Sequence, residues 1–143
     1  MKILVLNGPN LSRLDLRESE FYGSKSYEDV VDELKIFASE LGISIEVRQS
    51  DDEATTVSWL HEAADKKLPV IINPAAFTHY SYSIRDAVSM LTAPCIEVHL
   101  SNPLAREEFR HTSVISGVVK GTVSGFGVDS YKLAMRAMMN LTN

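Results

Sequence analysis

The 143-residue chain contains a single cysteine, Cys95, and no long apolar run. One cysteine excludes an internal disulfide framework and fits a reducing compartment. No apolar stretch approaches the roughly 18 residues that a membrane-spanning helix needs, and the apolar part of the N-terminus is too short for a signal peptide. These absences predict a cytoplasmic protein with no membrane partner.

Positive charge is also in short supply. The 14 Lys and Arg residues face 19 Asp and Glu residues, which gives a formal net charge of −5, and no basic block is present. Nucleic-acid-binding surfaces need clustered Lys and Arg, so nucleic acid is not an expected partner. The four histidines have neither the HxH nor the HExxH spacing of metal ligands, and there is no P-loop, GxGxxG or GxSxG motif. The sequence therefore predicts no metal and no bound nucleotide.

Strand-like and helix-like patterns alternate along the whole chain. Short apolar runs are separated by segments whose apolar residues recur every three or four positions. A single domain, 1–143, is expected because no linker interrupts this alternation and the 45% hydrophobic content is that of a globular protein. Strands are expected at about 3–6, 43–47, 69–73, 95–100 and 118–123, and helices at about 26–41, 52–64, 82–91 and 128–141.

This alternation implies right-handed crossovers between parallel strands. The predicted fold class is therefore α/β, a flavodoxin-like doubly wound five-stranded parallel sheet with helices on both faces. On the second helix the expected apolar stripe places His61 among packed residues. The stripe comprises Ala54, Val57, His61 and Ala64.

In sheets of this kind, ligands bind outside the carboxyl ends of the strands. The first strand runs into Asn7–Asn10, the third into Asn73–His79 and the fourth into His99–Pro103. Amides, hydroxyls and two histidines are thus expected at one edge of the sheet. This set suits a small polyhydroxylated or carboxylated substrate better than a large apolar ligand.

The connection after the first strand, Asn7–Gly23, is far longer than the roughly two to six residues usual in compact domains. Long connections often serve as active-site lids, here at about 12–24, and this one carries Arg17 five residues before Tyr22. A neighbouring cation lowers the pKa of a phenol and favours the tyrosinate, which can act as a base. The alternatives are that Tyr22 only anchors the loop and that Arg17 is solvated or pairs with Glu18.

The predicted fourth strand supplies a candidate acid. In an extended strand Cys95, Glu97, His99 and Ser101 point to one side. A carboxylate two residues from an imidazole can fix its tautomer and keep it protonated, as a general acid requires. The alternative for Glu97 and His99 is a structural pair in a satisfied interior.

Three further side chains have both a functional and a structural interpretation. His79 follows the third strand and could bind substrate or cap the next helix. Arg106 and Arg110, four positions apart on a predicted short helix, share a face and could grip a carboxylate. The alternative for this pair is a solvated face, with Glu107 and Glu108 between them as ion-pair partners.

Three blocks of sequence resemble a known family. LNGPNL at 6–11, followed by RE at 17–18 and YG at 22–23, resembles the opening motif of the type II 3-dehydroquinate dehydratases. NPAAFTHYSYSIRDA at 73–87 and IEVHLSNPLAREEFRHTS at 96–113 resemble the other two motifs of that family, in the same order. The similarity continues through RQSDDEA and GVVKGTVSGFGVDSY and covers essentially the whole chain.

The resemblance implies removal of water from 3-dehydroquinate to give 3-dehydroshikimate, through an enolate and without a metal or organic cofactor. Both aromatic biosynthesis and quinate breakdown use this step. By motif position, Tyr22 is the base that takes the C2 proton, and Arg17 in the lid promotes its tyrosinate. His99 protonates the departing C1 hydroxyl, Glu97 orients His99, and Asn10 positions the water that stabilises the enolate.

The resemblance also implies an assembly and a set of substrate-binding positions. Family members are commonly dodecamers built as four trimers, in which Asp86 reaches across a subunit interface and Arg106 assists lid closure. The substrate-binding set is Asn73, His79, Asp86, the backbone of Leu100, Ser101, Arg106 and Arg110.

The chain departs from the family pattern mainly in the lid. Ser12 replaces a usual Asn or Gly, Asp15 a usual Gly, and Ser19 a usual Pro. Asp15 adds a negative charge that can compete for Arg17, so we expect lid closure and apparent KM to differ most from the family. A Schiff-base dehydratase that uses a lysine and a non-catalytic flavodoxin-like binding module are the rival classes.

Overall fold

The computed structural model describes residues 1–16 and 24–142. The strands in these ranges are β1 (Lys2–Asn7), β2 (Ser44–Gln49), β3 (Val70–Asn73), β4 (Cys95–His99) and β5 (Gly121–Ser124). All neighbours pair in parallel, and the strand order is β2-β1-β3-β4-β5. This is the order of a flavodoxin-like sheet, as predicted.

Helices cover both faces of the sheet. They are α1 (Tyr27–Glu40), α2 (Glu53–Lys66), α3 (Tyr82–Ser89) and α4 (Asp129–Thr142). Helices α1 and α4 pack on one face, through residues such as Leu34 and Met135, and α2 and α3 pack on the other, through Leu60 and Ile84. The predicted fold class is therefore confirmed. Among the described helices, none has the length and apolar character needed to cross a membrane.

Strand β1 shows why the apolar run at the start of the chain forms a central strand. Ile3 and Val5 belong to the core under α1 and α4, whereas Leu4 and Leu6 belong to the core under α2 and α3. A strand that is buried on both faces reads as a continuous apolar run, not as an alternating one. Its carboxyl end therefore lies inside the sheet, between β2 and β3.

Some element boundaries differ from the predictions. The connection after β1 begins with a 3-10 helix at Leu11–Leu16, and β4 ends at His99, one residue early. Helix α3 ends at Ser89 instead of 91. Strand β5 starts only at Gly121, because the chain first forms a 3-10 turn at Ser116–Val118.

The predicted apolar stripe on α2 is wrong by about one position. The residues of α2 that face the sheet are Thr56, Leu60 and Ala63, each almost fully buried, and His61 is exposed. Successive residues of a helix are rotated by about 100°, so the residue after a buried Leu60 points away from the core. His61 is therefore not a packing residue.

Candidate active site

A cleft of about 630 Å³ opens at the carboxyl edge of the sheet, above the ends of β1, β3 and β4. The polar residues that follow these strands predicted this position. Most of the predicted site residues that the structure describes line the cleft. They are Asn10, Asn73, His79, His99, Leu100, Ser101, Arg106 and Arg110.

The ends of β1 and β3 meet at Gly8. Asn7 lies opposite Asn73 in the sheet, and the next N–H, that of Gly8, donates to the Asn73 carbonyl at 2.8 Å. A Cβ on Gly8 would lie 2.4 Å from the carbonyl oxygen of Pro74, so only glycine fits here. This contact places the first loop directly against the turn at 75–79.

A buried tyrosine beneath the cleft was not predicted from the sequence. Tyr131 of α4 donates to Asn7 Oδ1 at 2.5 Å and accepts from Asn73 Nδ2 at 2.9 Å. Burial raises the pKa of Tyr131, so the phenol stays protonated. Asn73 Oδ1 also accepts from the Ala75 N–H at 3.1 Å, which fixes the amide and leaves one Nδ2 hydrogen for the cleft.

Glu97 and His99 form the pair that the alternation along β4 predicted. Glu97 is fully buried, and His99 Nε2 lies 2.6 Å from Glu97 Oε2. Cys95 lies in the core under α2 and α3 and Ile96 in the core under α1 and α4, so the alternation itself is confirmed. With Nε2 on the carboxylate, Nδ1 is the ring nitrogen that can serve a ligand.

Two hydroxyls also donate to Glu97, and neither was predicted. Thr78 Oγ1 lies 2.5 Å from Oε2, and Ser116 Oγ lies 2.7 Å from Oε1. Burial is the largest single influence and acts to raise the pKa of Glu97. Hydrogen bonds from His99 and the two hydroxyls, with the charge of His99, outweigh burial and hold the pKa of Glu97 below its ordinary value. Glu97 is therefore a carboxylate at neutral pH.

Residues 112–116, which we call the clamp segment, hold the turn that carries His79. The Val114 N–H donates to the Thr78 carbonyl at 2.8 Å, and His79 Nδ1 donates to the Thr112 carbonyl at 2.8 Å. The same segment supplies one of the two hydroxyls on the buried carboxylate of β4. It therefore contacts His79 directly and contacts Glu97, the partner of His99.

His79 is prepared as an acceptor. Burial, the largest influence, lowers the pKa of His79, and the nearby positive charges of His99 and Arg110 lower it further. With Nδ1–H on a carbonyl, the neutral ring leaves Nε2 free to accept. The alternative role as a helix cap is wrong, because Ser81 Oγ accepts the Ile84 N–H and caps α3.

The predicted short helix that would carry Arg106 and Arg110 is not formed. Two 3-10 turns, Pro103–Ala105 and Glu108–His111, replace it, because the backbone of Arg106 is extended and interrupts the helix. The two arginines nevertheless come together at the mouth of the cleft. Sequence spacing thus predicted their proximity for the wrong structural reason.

The arginines at this mouth are paired but not solvated. The side chain of Arg106 is only 10% exposed and that of Arg110 only 20%. Arg110 Nε lies 3.1 Å from Glu107 Oε2, and Arg106 Nε lies 3.8 Å from Glu107 Oε1. Arg106 also donates to Ser101 Oγ at 3.2 Å, and Arg110 lies over the ring of Phe109. The predicted solvated face is therefore wrong for these two side chains.

The first loop contributes Asn10 and a surface ion pair. Asn10 adopts a left-handed conformation, with φ of 70°, and its N–H donates to Asp51 Oδ1 at 2.8 Å. Asp15 accepts from Arg13 through both oxygens, at 3.1 and 3.0 Å. Within the described residues the added carboxylate thus engages Arg13. Its competition for Arg17 stays a prediction.

Three predicted roles have no structural account here. Arg17, Tyr22 and the centre of the predicted lid lie outside the described residues. Asp86 lies exposed on α3 and does not line the cleft, so its role across a subunit interface stays a prediction. In residues 1–16 and 24–142, no three His, Cys, Asp or Glu side chains are grouped as metal ligands would be.

Residues 1–139 match the family described as Dehydroquinase class II. The chain belongs to this family. A 3-dehydroquinate dehydratase from Salinispora tropica is 52% identical over 135 residues, which are 94% of this chain and 94% of the relative. Another from Halalkalibacterium halodurans is 50% identical over 137 residues, 96% of this chain and 94% of the relative.

A solved structure gives the same result for the fold. The type II dehydroquinase from Propionibacterium acnes is similar with a TM-score of 0.95 and 51% sequence identity, over 97% of this chain and 96% of that one. The family resemblance predicted from the three sequence blocks is confirmed. A class II dehydroquinase is a carbon–oxygen lyase of the hydro-lyase type, so this chain is a dehydratase.

Proposed function

We propose that the cleft removes water from 3-dehydroquinate to give 3-dehydroshikimate through an enolate, with Tyr22 as base and His99 as acid. One observation carries the proposal: an imidazole backed by a buried carboxylate lies in a polar cleft of a class II dehydroquinase. Acid catalysis requires a proton donor within reach of the leaving group, and His99 Nδ1 is available for that role.

The reaction removes one proton and delivers another. Tyrosinate at Tyr22 takes the C2 proton, and the electron pair moves onto the adjacent carbonyl to form the enolate. When the enolate collapses, the C1–oxygen bond breaks, and His99 gives its proton to the hydroxyl, which leaves as water. Transfer of one proton from Tyr22 to His99 through solvent restores the starting state. Glu97 remains ionised throughout and stabilises the imidazolium of His99 before its proton is transferred and again after it is restored.

Substrate recognition follows from the remaining lining residues. Guanidinium groups bind carboxylates through paired hydrogen bonds, which assigns the substrate carboxylate to Arg110 at the mouth, with Arg106 beside it to assist closure. His79 Nε2 accepts from one hydroxyl, and the remaining amide hydrogen of Asn73 serves another. The other contacts are assigned to Ser101, the backbone of Leu100 and, through a water on the enolate oxygen, Asn10.

The decisive experiment adds 3-dehydroquinate to the purified protein and follows the conjugated enone by ultraviolet absorbance. Tyr22→Phe should lower kcat by about 10²–10⁴-fold while the thermal unfolding temperature is unchanged. Tyr82→Phe is the matched control, because Tyr82 is exposed at the start of α3 and should keep full activity. Wild-type activity in Tyr22→Phe would refute the assigned base. A mass increase after borohydride treatment with substrate would instead indicate a Schiff base on lysine.

The cellular setting belongs to the same proposal. The dehydration serves either the shikimate pathway, which leads to aromatic amino acids, or quinate breakdown, and we place it in the cytoplasm. It proceeds without a metal or organic cofactor, so dialysis against a chelator should leave kcat unchanged. The assembly is a dodecamer of four trimers with Asp86 at a subunit boundary, and light scattering should return the mass of twelve chains.

A further inference from the structure

Ser113, Thr78 and Glu97 form a chain of hydrogen bonds in which each hydroxyl can donate in only one direction, toward Glu97. Ser113 Oγ accepts the N–H of Ile115 at 3.1 Å and the N–H of Ser116 at 2.9 Å. A hydroxyl oxygen has two acceptor positions, and these two N–H groups fill both. The hydrogen of Ser113 must therefore point to Thr78 Oγ1, which lies 2.8 Å away.

Thr78 is thereby fixed as a donor to Glu97. Its oxygen accepts from Ser113, so its own hydrogen lies along the 2.5 Å contact to Glu97 Oε2. The Ser116 hydroxyl donates to Oε1, and His99 Nε2 lies on Oε2. A hydrogen on Glu97 could not point to Thr78, which is fixed as a donor, and to point to Ser116 Oγ or His99 Nε2 it would need that atom to accept instead of donate. The surroundings therefore accept a carboxylate and disfavour a carboxylic acid.

We infer that Thr78 and Ser116 are positioning residues, which keep Glu97 ionised so that His99 remains an imidazolium with Nδ1–H toward the cleft. The inference rests on the proposed role of His99 as the acid. A buried imidazolium–carboxylate pair competes with the neutral pair that forms when the proton moves to the carboxylate. Donors on the carboxylate stabilise the charged pair and not the neutral one.

Removal of these donors should affect turnover without affecting substrate binding. Neither Thr78 nor Ser116 lines the cleft, so KM should stay within about twofold. Thr78→Val should lower kcat by about 10–100-fold, since hydrogen bonds to charged groups are among the strong ones. Ser116→Ala should lower kcat by only about 3–10-fold, because Ser116 is exposed and water can replace its hydroxyl.

The test compares hydroxyl removal with hydroxyl retention at the same position. Thr78→Ser keeps the donor and should restore kcat to within about threefold of the wild type. Thr56→Val is the matched control, because Thr56 is about as buried, its hydroxyl donates to the carbonyl of Asp52, which caps α2, and it does not line the cleft. It should keep wild-type kcat and KM.

A second measurement follows the protonation of the His99 ring directly in the substrate-free protein. Nitrogen-15 NMR at one fixed pH should show both ring nitrogens of His99 more protonated in the wild type than in Thr78→Val or Ser116→Ala. If Thr78→Val does not fold, the Ser116→Ala spectrum alone tests whether the hydroxyl donors keep His99 protonated. Failure of the wild type to dehydrate 3-dehydroquinate would refute the proposed function only. In that case the same spectrum still tests the effect of the hydroxyls on His99.

Three results would overturn the inference. One is a Thr78→Val protein with wild-type kcat and an unchanged His99 spectrum. Another is an equal loss of kcat in Thr78→Ser, which would show that the hydroxyl is not the active feature. The third is an equal loss in Thr56→Val, which would indicate a general effect of buried threonine removal.

Discussion

The floor of the cleft, Glu97 with His99, and its rim, Arg106, Glu107 and Arg110, hold their charges in opposite ways. The floor carboxylate is fully buried and is satisfied by neutral hydroxyls as well as by the imidazole. The rim depends on ion pairs to Glu107, whose side chain is 56% exposed. Salt and water reach exposed ion pairs but hardly affect buried ones. Under the proposed mechanism, this difference separates proton transfer, which is assigned to the floor, from substrate binding, which is assigned to the rim.

The largest expected effect comes from neutralising the floor. Glu97→Gln replaces a carboxylate, which only accepts, with an amide whose nitrogen donates. The amide cannot accept from Thr78, Ser116 and His99 at once. We expect kcat to fall by about 10²–10⁴-fold with KM within about threefold. The enone assay measures both. Glu46→Gln, at an exposed ion pair on β2, is the control with wild-type values. A change confined to KM would break the division between floor and rim.

Removal of a rim charge should have the complementary effect. Arg110→Gln should raise KM by about 10–100-fold and change kcat by less than about threefold, because a charged hydrogen bond to the substrate carboxylate is lost. Wild-type KM should also rise with salt, and less so in the variant. Arg136→Gln, on α4 over the ring of Phe37, serves as the control. A fall in kcat at unchanged KM would contradict the assignment.

Acid should destabilise the fold partly through the floor. Because the folded pKa of Glu97 is lowered, its stabilisation is present above the ordinary carboxyl pKa and is lost as pH falls through the folded value. Between about pH 5 and pH 3, a range that extends below the ordinary carboxyl pKa, the unfolding temperature of the wild type should therefore drop more than that of Glu97→Gln. Calorimetry at both pH values gives the comparison. Equal drops would show that the buried carboxylate carries no such linkage.

The smallest effect is expected beside the cleft mouth, in the first loop. Asp15→Gly releases the exposed Arg13 side chain from its carboxylate partner, and exposed ion pairs of this kind contribute little to stability. Apparent KM should change by less than about threefold, and the rate of a pre-steady-state closing phase should rise because glycine widens the accessible backbone states. Identical steady-state and pre-steady-state kinetics would contradict the prediction that Asp15 alters the lid.

The parts of the site that lie on regular elements were predictable. The period of two along β4 places Glu97 and His99 on one side, and the polar ends of the parallel strands predict the edge at which the cleft opens. Both inferences need only local sequence and one rule of topology. The long first connection, with Arg17 close to Tyr22, also indicated a candidate base, whereas the assignment of that base to the C2 proton comes from the family resemblance.

The supporting contacts were not predictable for a physical reason. Thr78 and Ser116 each lie 19 positions from Glu97, in turns without periodicity, and Tyr131 lies 124 positions from Asn7. Such contacts depend on how loops pack, which no local pattern encodes. The stripe on α2 failed for a related reason, since a weak pattern leaves the rotation of a helix to be decided by its packing against the sheet.

The clamp segment, residues 112–116, couples the surroundings of the two histidines, so that a change in this segment alters both at once. A length change there would displace the carbonyl that sets the tautomer of His79 and the hydroxyl that faces Glu97 in the same event. Redesign of the cleft for a substrate with another ring or another arrangement of hydroxyls therefore cannot change the hydrogen bonding of His79 and His99 separately through this segment. The rim arginines are held instead by ion pairs to the exposed Glu107, and the rim is the part of the site that we expect to diversify.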